Sequence, residues 1–528
     1  MMIRIGIYNH WLSTLGGGEK VTGAMAEALS HYYRVDLIGP ERISRSLIED
    51  RINVDLGKVD VKVINIMERT PSFTKDYDLF INATHGAILP TMCRRNILYV
   101  YFPIRLDGGP PLKRKLKGFL FRRFRYGYPL EGFYPADRYQ GTVLWWTGPH
   151  AKLQVPLPKS THPLALELAV RGYRTPDAAP PQIRLRIGGE EVVETLPALS
   201  RHHFRRIRVP IPRRLAQREF IEAEILADTF CPAADGSSTD ARDLGVMLGW
   251  ARSTNGFDPI HWLLSRCIPD VDTRLQNQIE LLSSELRLDR YQTIWAVSRY
   301  TQRWIRRYWN RESELLYPPV DSASGGNGTK RNAILSVGRF FDGHHNKKHF
   351  EMVEAFKAMC DAGLRDWELI LVGGTHTGKI HQAYLERLKQ SCAGYPISIL
   401  TNIPFARLQE LYRASALYWH ATGYEEDEST APERFEHFGM STVEAMSAGC
   451  VPVVIGRAGQ VEIIQDGRSG FLWSTLTDLK RYSLMLIRDE HLRQRLADGA
   501  IARSREFARD VFVANTLRTV ERALCRPA

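Results

Sequence analysis

The sequence predicts an α/β protein in which two doubly wound parallel-sheet domains face a cleft, with an all-β sandwich inserted in the first. Three observations predict it. A strand, a glycine turn and a helix open the chain; a stretch of period-two alternation interrupts it; from about residue 330 strands and helices alternate to the end. The 528 residues suggest about three domains at roughly 150 residues each. A composition of 44 % hydrophobic and 25 % charged residues excludes a largely disordered or fibrous chain.

Ile3-Arg-Ile-Gly-Ile7 reads as the first strand, Gly16-Gly17-Gly18 as the turn, 19–30 as a helix and Val35–Ile38 as the next strand. This order marks a parallel α/β unit. Between about 134 and 250, Leu164, Leu166, Leu168 and Val170 alternate with other residues, as do Ile183, Leu185 and Ile187, then Ile207, Val209 and Ile211. Such spacing with proline-bearing connections marks a β-sandwich. In the third region the expected strands are Ala333–Val337, Glu368–Val372, Ile397–Leu400, Ala416–His420 and Val451–Ile455, with helices at 347–362 and 381–391. The expected divisions are 1–134 and 257–321 for the first α/β domain, 135–256 for the sandwich, 322–330 for a Ser/Gly linker, 331–508 for the second α/β domain and 509–528 for a closing helix.

No window holds the ~18 apolar residues of a membrane span, and the N-terminus lacks secretory features, so a cytoplasmic protein is expected. Seven scattered cysteines without a CxxC pair exclude a disulfide framework and a cysteine zinc site. The net charge of +12 suits an anionic partner. It concentrates from Lys113 to Arg125, where seven cations and three phenylalanines occur without an acid. Cations interleaved with aromatics suit an anionic bilayer, giving an expected peripheral location at the inner face of the cytoplasmic membrane. A solvated basic helix or loop is the plainer reading. Nucleic acid is not expected, because no recognition motif accompanies the charge.

The richest stretch is EHFGMSTVEAMSAGCVPVV, Glu436 to Val454: a loop, a short helix starting near Ser441, a glycine stop and a buried strand. The free N–H groups of that helix start suit an anion. Spacing alone leaves two readings. Ser441-x-x-Glu444 also fits a capping box, and Glu425/Glu433 and Glu428/Glu436 share the spacing of Glu436/Glu444.

The stretch as a whole closely resembles the donor signature of retaining GT-B glycosyltransferases of family 4, the EX7E type. The resemblance implies that Glu436 holds the donor sugar, Glu444 the ribose, and Met440, Ser441 and Thr442 the phosphates, with Phe438 and Gly439 also donor-binding. Val337-Gly338-Arg339 followed by Lys347 and Ala355-Phe356 resembles the family's VGR…K…AF pattern, implying that Arg339 and Lys347 neutralise the leaving diphosphate. Lys348 leaves that register open by one residue. Gly16-Gly17-Gly18-Glu19 resembles the family's glycine loop, Tyr317-Pro-Pro-Val320 the end of its first domain, and Gln460 and Glu462 the segment after its signature strand. Asn402 and Ile403 are expected to choose the base. Tyr99-Val-Tyr101-Phe-Pro103 resembles mannosyltransferases of lipid-linked oligosaccharide assembly, which usually carry His where Tyr101 stands; His85 is the candidate substitute, and both are candidates for the acceptor side.

The resemblance implies a hexosyltransferase of cell-surface polysaccharide or glycolipid synthesis. It would move sugar from a nucleotide-diphosphate sugar to a glycan or lipid-linked acceptor, with no cofactor and no metal. Alternatives are a non-catalytic glycan-binding scaffold of the same architecture, or a nucleotide-sugar hydrolase or epimerase. Gly373-Gly-Thr-His-Thr-Gly-Lys379 has P-loop spacing, but Ile380 replaces the Ser or Thr that would meet Mg²⁺. The acidic run Glu425 to Glu428 reads as a solvated loop. The sandwich's six arginines between Arg201 and Arg214 and its segment from Gly236 to Gly245 suit a glycan or an architectural role equally.

Overall fold

The computed structural model describes residues 2–64, 71–106, 119–120, 123–134, 137–139, 142–160, 162–172, 174, 180–196, 204–234, 240–268, 271–276, 287–321, 330–343, 346–375 and 378–525. Much of the basic segment (113–118 and 121–122), the linker residues 322–329, and 201–203 and 235–239 of the insertion lie outside them.

The first domain begins with β1 (Arg4–Tyr8), β2 (Arg34–Gly39), β3 (Val59–Val63), β4 (Leu79–Asn82) and β5 (Asn96–Val100). It is completed by β15 (Thr293–Ala296) and β16 (Glu314–Leu315), far along the chain. These seven strands form one parallel sheet in the order β16-β15-β5-β4-β1-β2-β3. Because β5 pairs directly with β15, everything between them is an excursion from one sheet.

That excursion carries β6 (Tyr128–Phe133), β7 (Asp137–Tyr139), β8 (Thr142–Pro156), β9 (Leu164–Arg171), β10 (Gln182–Ile187), β11 (Glu190–Thr195), β12 (Arg205–Ile211), β13 (Phe220–Ala227) and β14 (Met247–Thr254). The pairing is antiparallel throughout. β8 is long enough to serve two halves: Trp145 and Trp146 ladder with β14, while His150 to Pro156 ladder with β13. Inward residues of both halves, among them Leu153, Leu166, Leu185, Val209 and Ile225, enclose one apolar core. The antiparallel sheet starts at Tyr128 rather than at 135. Its first strand holds Pro129 and Gly132 and shows no alternation; pairing with β8 makes it a strand.

The second domain carries β17 (Arg331–Val337), β18 (Glu368–Gly373), β19 (Ile397–Thr401), β20 (Ser415–His420), β21 (Val451–Ile455) and β22 (Phe471–Trp473), parallel in the order β19-β18-β17-β20-β21-β22. Strands buried on both faces read as continuous apolar runs, which is why their positions follow from sequence. The helix Arg509–Cys525 returns to the first domain, where Phe512, Val520 and Ala523 join the cluster of Val21, Met25 and Leu29 from the helix Gly17–Ser30. A second bridge is made by the helix Arg299–Trp309, whose first N–H groups at Arg299 and Tyr300 donate to the Glu462 carboxylate at 2.8 and 2.7 Å. Burial raises the pKa of Glu462, while these donors oppose the rise. Two separate contacts thus fasten the domains together.

Candidate active site

The second domain's half of the cleft grows from the C-terminal ends of its strands, where open α/β sheets gather ligands. β20 ends at His420, Gly338 and Arg339 follow β17, and the loop Glu436 to Gly439 leads into the helix Met440–Ser447. Gly439 starts that helix from a left-handed φ of 116°, and a Cβ there would lie 2.5 Å from Gln460 Nε2. Only glycine meets both conditions. No side chain caps the helix start. The Thr442 and Val443 N–H groups donate to the Gly439 carbonyl at 3.0 and 3.3 Å, and those of Met440 and Ser441 are the ones left for a ligand at the helix start.

The capping-box reading of Ser441 and Glu444 does not hold. Ser441 Oγ instead accepts from the Tyr418 hydroxyl at 2.8 Å. The Glu444 carboxylate accepts from Lys20 Nζ at 3.1 Å and from the Tyr412 hydroxyl at 3.0 Å. Lys20 belongs to the first domain and is held 3.1 Å from Asp321 as well, so one buried ammonium joins the domains at Glu444.

Glu436 is held equally firmly. Its Oε2 lies 2.5 Å from Lys347 Nζ and 2.9 Å from His420 Nε2. Burial is the largest influence on His420 and pulls its pKa down; Lys347 acts in the same direction, against Glu436. A neutral His420 donating to Glu436 follows, the tautomer being fixed by that bond. Lys347 reaches Glu436 across Gly338, where a Cβ would stand 2.6 Å from Lys347 Cγ. Lys348 turns the other way, to Glu426 at 3.0 Å and Glu351 at 4.0 Å. Of the two adjacent lysines, Lys347 is therefore the one facing Glu436. Arg339 is exposed and makes no ion pair among the described residues. Its guanidinium sits 5.8 Å from the Phe341 ring centre.

The first domain brings its glycine loop to the same place. The Gly16 N–H donates to Glu19 at 2.8 Å, closing the loop on itself. A Cβ on Gly17 would lie 3.4 Å from Met440 Sδ, so the starts of two helices, one from each domain, meet across the cleft. Tyr101 does not present a free polar group there. Its hydroxyl donates to the Gly18 carbonyl at 2.7 Å, and burial raises its pKa. His85 lies edge-on to Tyr101 at 5.8 Å. Its pKa is lowered by burial first and then by Arg339, which sets it across the cleft from the diphosphate candidates although solvent reaches it.

Other expected site residues serve differently. Phe438 is buried between Tyr317 and Phe507, at 5.3 and 5.4 Å, leaving only its backbone for a ligand. Thr442 is fully buried. Asn402, at a left-handed φ of 52°, spends its side chain on Thr375, while Ile403 packs against the interdomain core. In the acidic loop Glu426 is paired with Lys348 and Arg434, and Glu428 with Arg303.

Residues 319–503 match the family described as "Glycosyl transferases group 1". The second domain is similar to group 1 glycosyl transferases. Curated relatives include the GDP-Man:Man(3)GlcNAc(2)-PP-Dol alpha-1,2-mannosyltransferases of Dictyostelium discoideum, 27 % identical over 35 % of this chain and 38 % of that protein. The Xenopus tropicalis protein of the same name is 25 % identical over 40 % of this chain and 44 % of its own. The chain thus matches about two fifths of these relatives' length. Among solved structures, a glycosyltransferase from Rickettsia africae superposes with a TM-score of 0.52 at 10 % identity, covering both chains completely. Anabaena HepE in complex with UDP and glucose superposes with 0.51 at 11 % identity, over 98 % of this chain and 99 % of that one. The fold is GT-B.

His420, Lys20 and Tyr412 are absent from the sequence-based set. His420 carried a usable signal, as the last residue of a buried parallel strand. Lys20 and Tyr412 carried none, since their partner Glu444 is remote in sequence from Lys20 and the capping box offered Glu444 a local use.

Proposed function

We propose that the chain is a retaining glycosyltransferase of the family 4 type, taking a hexose from a nucleotide-diphosphate sugar to a glycan or lipid-linked acceptor. One observation carries this reading: Glu436, Lys347 and the uncapped start of the helix Met440–Ser447 gather at the C-terminal ends of the second domain's strands, where Arg339 follows β17, and the glycine loop of the other domain faces them. Two cations and a helix start suit a diphosphate whose charge grows as the sugar leaves. In this reading the diphosphate lies along Arg339, Lys347 and the helix start, Glu436 orients the sugar, and Glu444 holds the ribose. The acceptor oxygen bonds to the anomeric carbon on the face from which the phosphate departs. The bond to phosphate breaks, and that phosphate takes the acceptor's proton, so no protein nucleophile and no metal are required. The names of the curated relatives favour a lipid-linked acceptor, and with it a cytoplasmic protein peripheral to a membrane through Lys113 to Arg125 and acting in surface polysaccharide or glycolipid synthesis.

Tyr101 supports one competing reading, a glycan-binding scaffold without turnover, because its hydroxyl is committed to Gly18. The separating experiment offers nucleotide sugars with short-chain lipid-linked acceptors and weighs the products. Transfer by wild type, lost in Glu436→Ala while nucleotide still raises the melting temperature, supports catalysis. Nucleotide binding without any product in wild type supports the scaffold, and unchanged turnover in Glu436→Ala sinks the site assignment.

A further inference from the structure

Just after the last strand of the insertion, the helix Pro259–Cys267 turns an apolar side to solvent. None of its residues is buried. Phe257 is 74 % exposed, Leu263 55 %, Trp262 44 % and Ile260 43 %. Ile260 and Leu263 lie three apart on the helix and share a face, and the Phe257 ring, just ahead of the helix, lies 6.2 Å from the Trp262 ring, so the four form one stripe. The other side of the helix is firmly seated. Asp258 caps its start by accepting from the Ile260 and His261 N–H groups. The His261 ring stands edge-on to Phe124 at 5.2 Å, and its Nε2 lies 2.9 Å from the Asp272 carboxylate. Leu264 packs into the cluster of Phe124, Tyr126, Trp145 and Trp250. The stripe is therefore held outward by a fixed base, and a contiguous exposed apolar patch of this kind marks an interaction surface.

Charge selects the occupant. The Arg266 guanidinium sits 4.4 Å from the Trp262 ring centre, at the edge of the stripe. Arg123 pairs with Asp258 at 2.6 Å, which neutralises the acid nearest the stripe. Beside Arg123, burial and the like charge of that neighbour lower the pKa of Arg125, which marks a local crowding of cations. Phe119 is 56 % exposed, and the adjoining Leu120 packs into the same cluster as Leu264. The sequence from Lys113 to Arg125 that brings these residues here holds seven cations and no acid. Large apolar and aromatic groups rimmed by arginines match the layered chemistry of a bilayer, in which rings sit at the headgroup boundary and guanidinium groups meet phosphates.

We propose that the helix Pro259–Cys267 is a membrane wedge: Phe257, Ile260, Trp262 and Leu263 enter the acyl boundary of an anionic bilayer, while Arg125 and Arg266 lie among its headgroups. This deepens the membrane-peripheral part of the proposed function and is independent of sugar transfer. The test sediments the full chain with phosphatidylcholine vesicles containing roughly one third phosphatidylglycerol, enough to give the surface a negative potential. Wild type is expected to sediment with these vesicles. The double variant Phe257→Ser, Leu263→Ser is expected to partition at least tenfold less, while its thermal shift with nucleotide equals that of wild type. Trp262 emission, isolated by subtracting Trp262→Phe, should shift to the blue when vesicles are added. Absence of wild-type binding, or equal binding by the double variant, overturns the wedge. So does a dimer, seen by light scattering, that disappears in the variant while vesicles have no effect. The nucleotide shift keeps a failed wedge distinct from a failed donor site.

Discussion

Two adjacent lysines with opposite partners offer the sharpest test of the donor site. Lys347 and Lys348 are both largely buried, yet Lys347 meets Glu436 at 2.5 Å and Lys348 meets Glu426 at 3.0 Å. Replacing either by Met removes one cation from a half-buried pair whose acid keeps a second partner: His420 for Glu436 at 2.9 Å, Arg434 for Glu426 at 3.0 Å. Each variant should therefore lose a similar ~1–2 kcal/mol of stability, less than the 3–5 kcal/mol of a pair left wholly uncompensated. Binding should separate them. A cation about 4 Å from a phosphate charge is attracted by roughly 4 kcal/mol at an effective dielectric near 20. Part of this is offset because Lys347 must share its ammonium with Glu436, and a net ~1.5–3 kcal/mol is the usual contribution of a hydrogen bond to a charged group. Calorimetric titration with the nucleoside diphosphate that most stabilises wild type should show a dissociation constant raised about 10- to 150-fold in Lys347→Met. In Lys348→Met it should stay within about twofold. Equal weakening in both variants, or a Lys347→Met constant within twofold of wild type, would refute the assignment of the diphosphate to the Lys347 side.

Gly338→Ala places a methyl 2.6 Å from Lys347 Cγ. The flexible side chain yields, so donor affinity should fall about tenfold with under ~1 kcal/mol of stability lost, read by titration and urea unfolding. His349, fully buried, has its pKa lowered from 6.5 to about 3, first by burial and then by Lys347. The unfolded chain binds one more proton between those values, so stability falls as pH drops through that window. Moving from pH 7.5 to 5.5 should cost ~1.4 kcal/mol through this group, and His349→Gln should remove that part of the slope in urea unfolding. His420, also lowered, adds a dependence of the same sign.

What could be read from the sequence tracks how local its physical cause is. β21 occupies Val451–Ile455 as expected, and the signature helix begins at Met440, one residue from the expected start. Both follow from neighbours in sequence: an apolar run buried on two faces, and a glycine where the backbone turns left-handed. The start of the antiparallel sheet is different, because Tyr128–Phe133 becomes a strand only through a partner that lies beyond it in β8. The site divides in the same way. Glu436 and Lys347 stood out through their motifs, yet their shared orienter His420 and the Lys20 bridge to Glu444 exist only once the sheets are assembled. Phe438 shows the converse: placed inside the signature by sequence, it turns its ring into the core that joins the domains.

The Tyr101 position bears on whether this cleft needs a protein base. Its half-buried phenol has a raised pKa and donates to the Gly18 carbonyl, so it stays protonated at neutral pH and fixes the loop that faces Met440. A proton acceptor it is not. His85, 5.8 Å away, has its pKa lowered by its surroundings and by Arg339 although solvent reaches it, and the two rings stand together on the first domain's side of the cleft. If the leaving phosphate takes the acceptor's proton, as proposed, the loss of an imidazole at position 101 costs no proton carrier, and what the tyrosine adds is rigidity in the glycine loop. On that reasoning the tyrosine changes how the first domain's glycine loop is braced, and the proposed charge balance of transfer still rests on Arg339, Lys347 and the start of the helix Met440–Ser447 in the second domain.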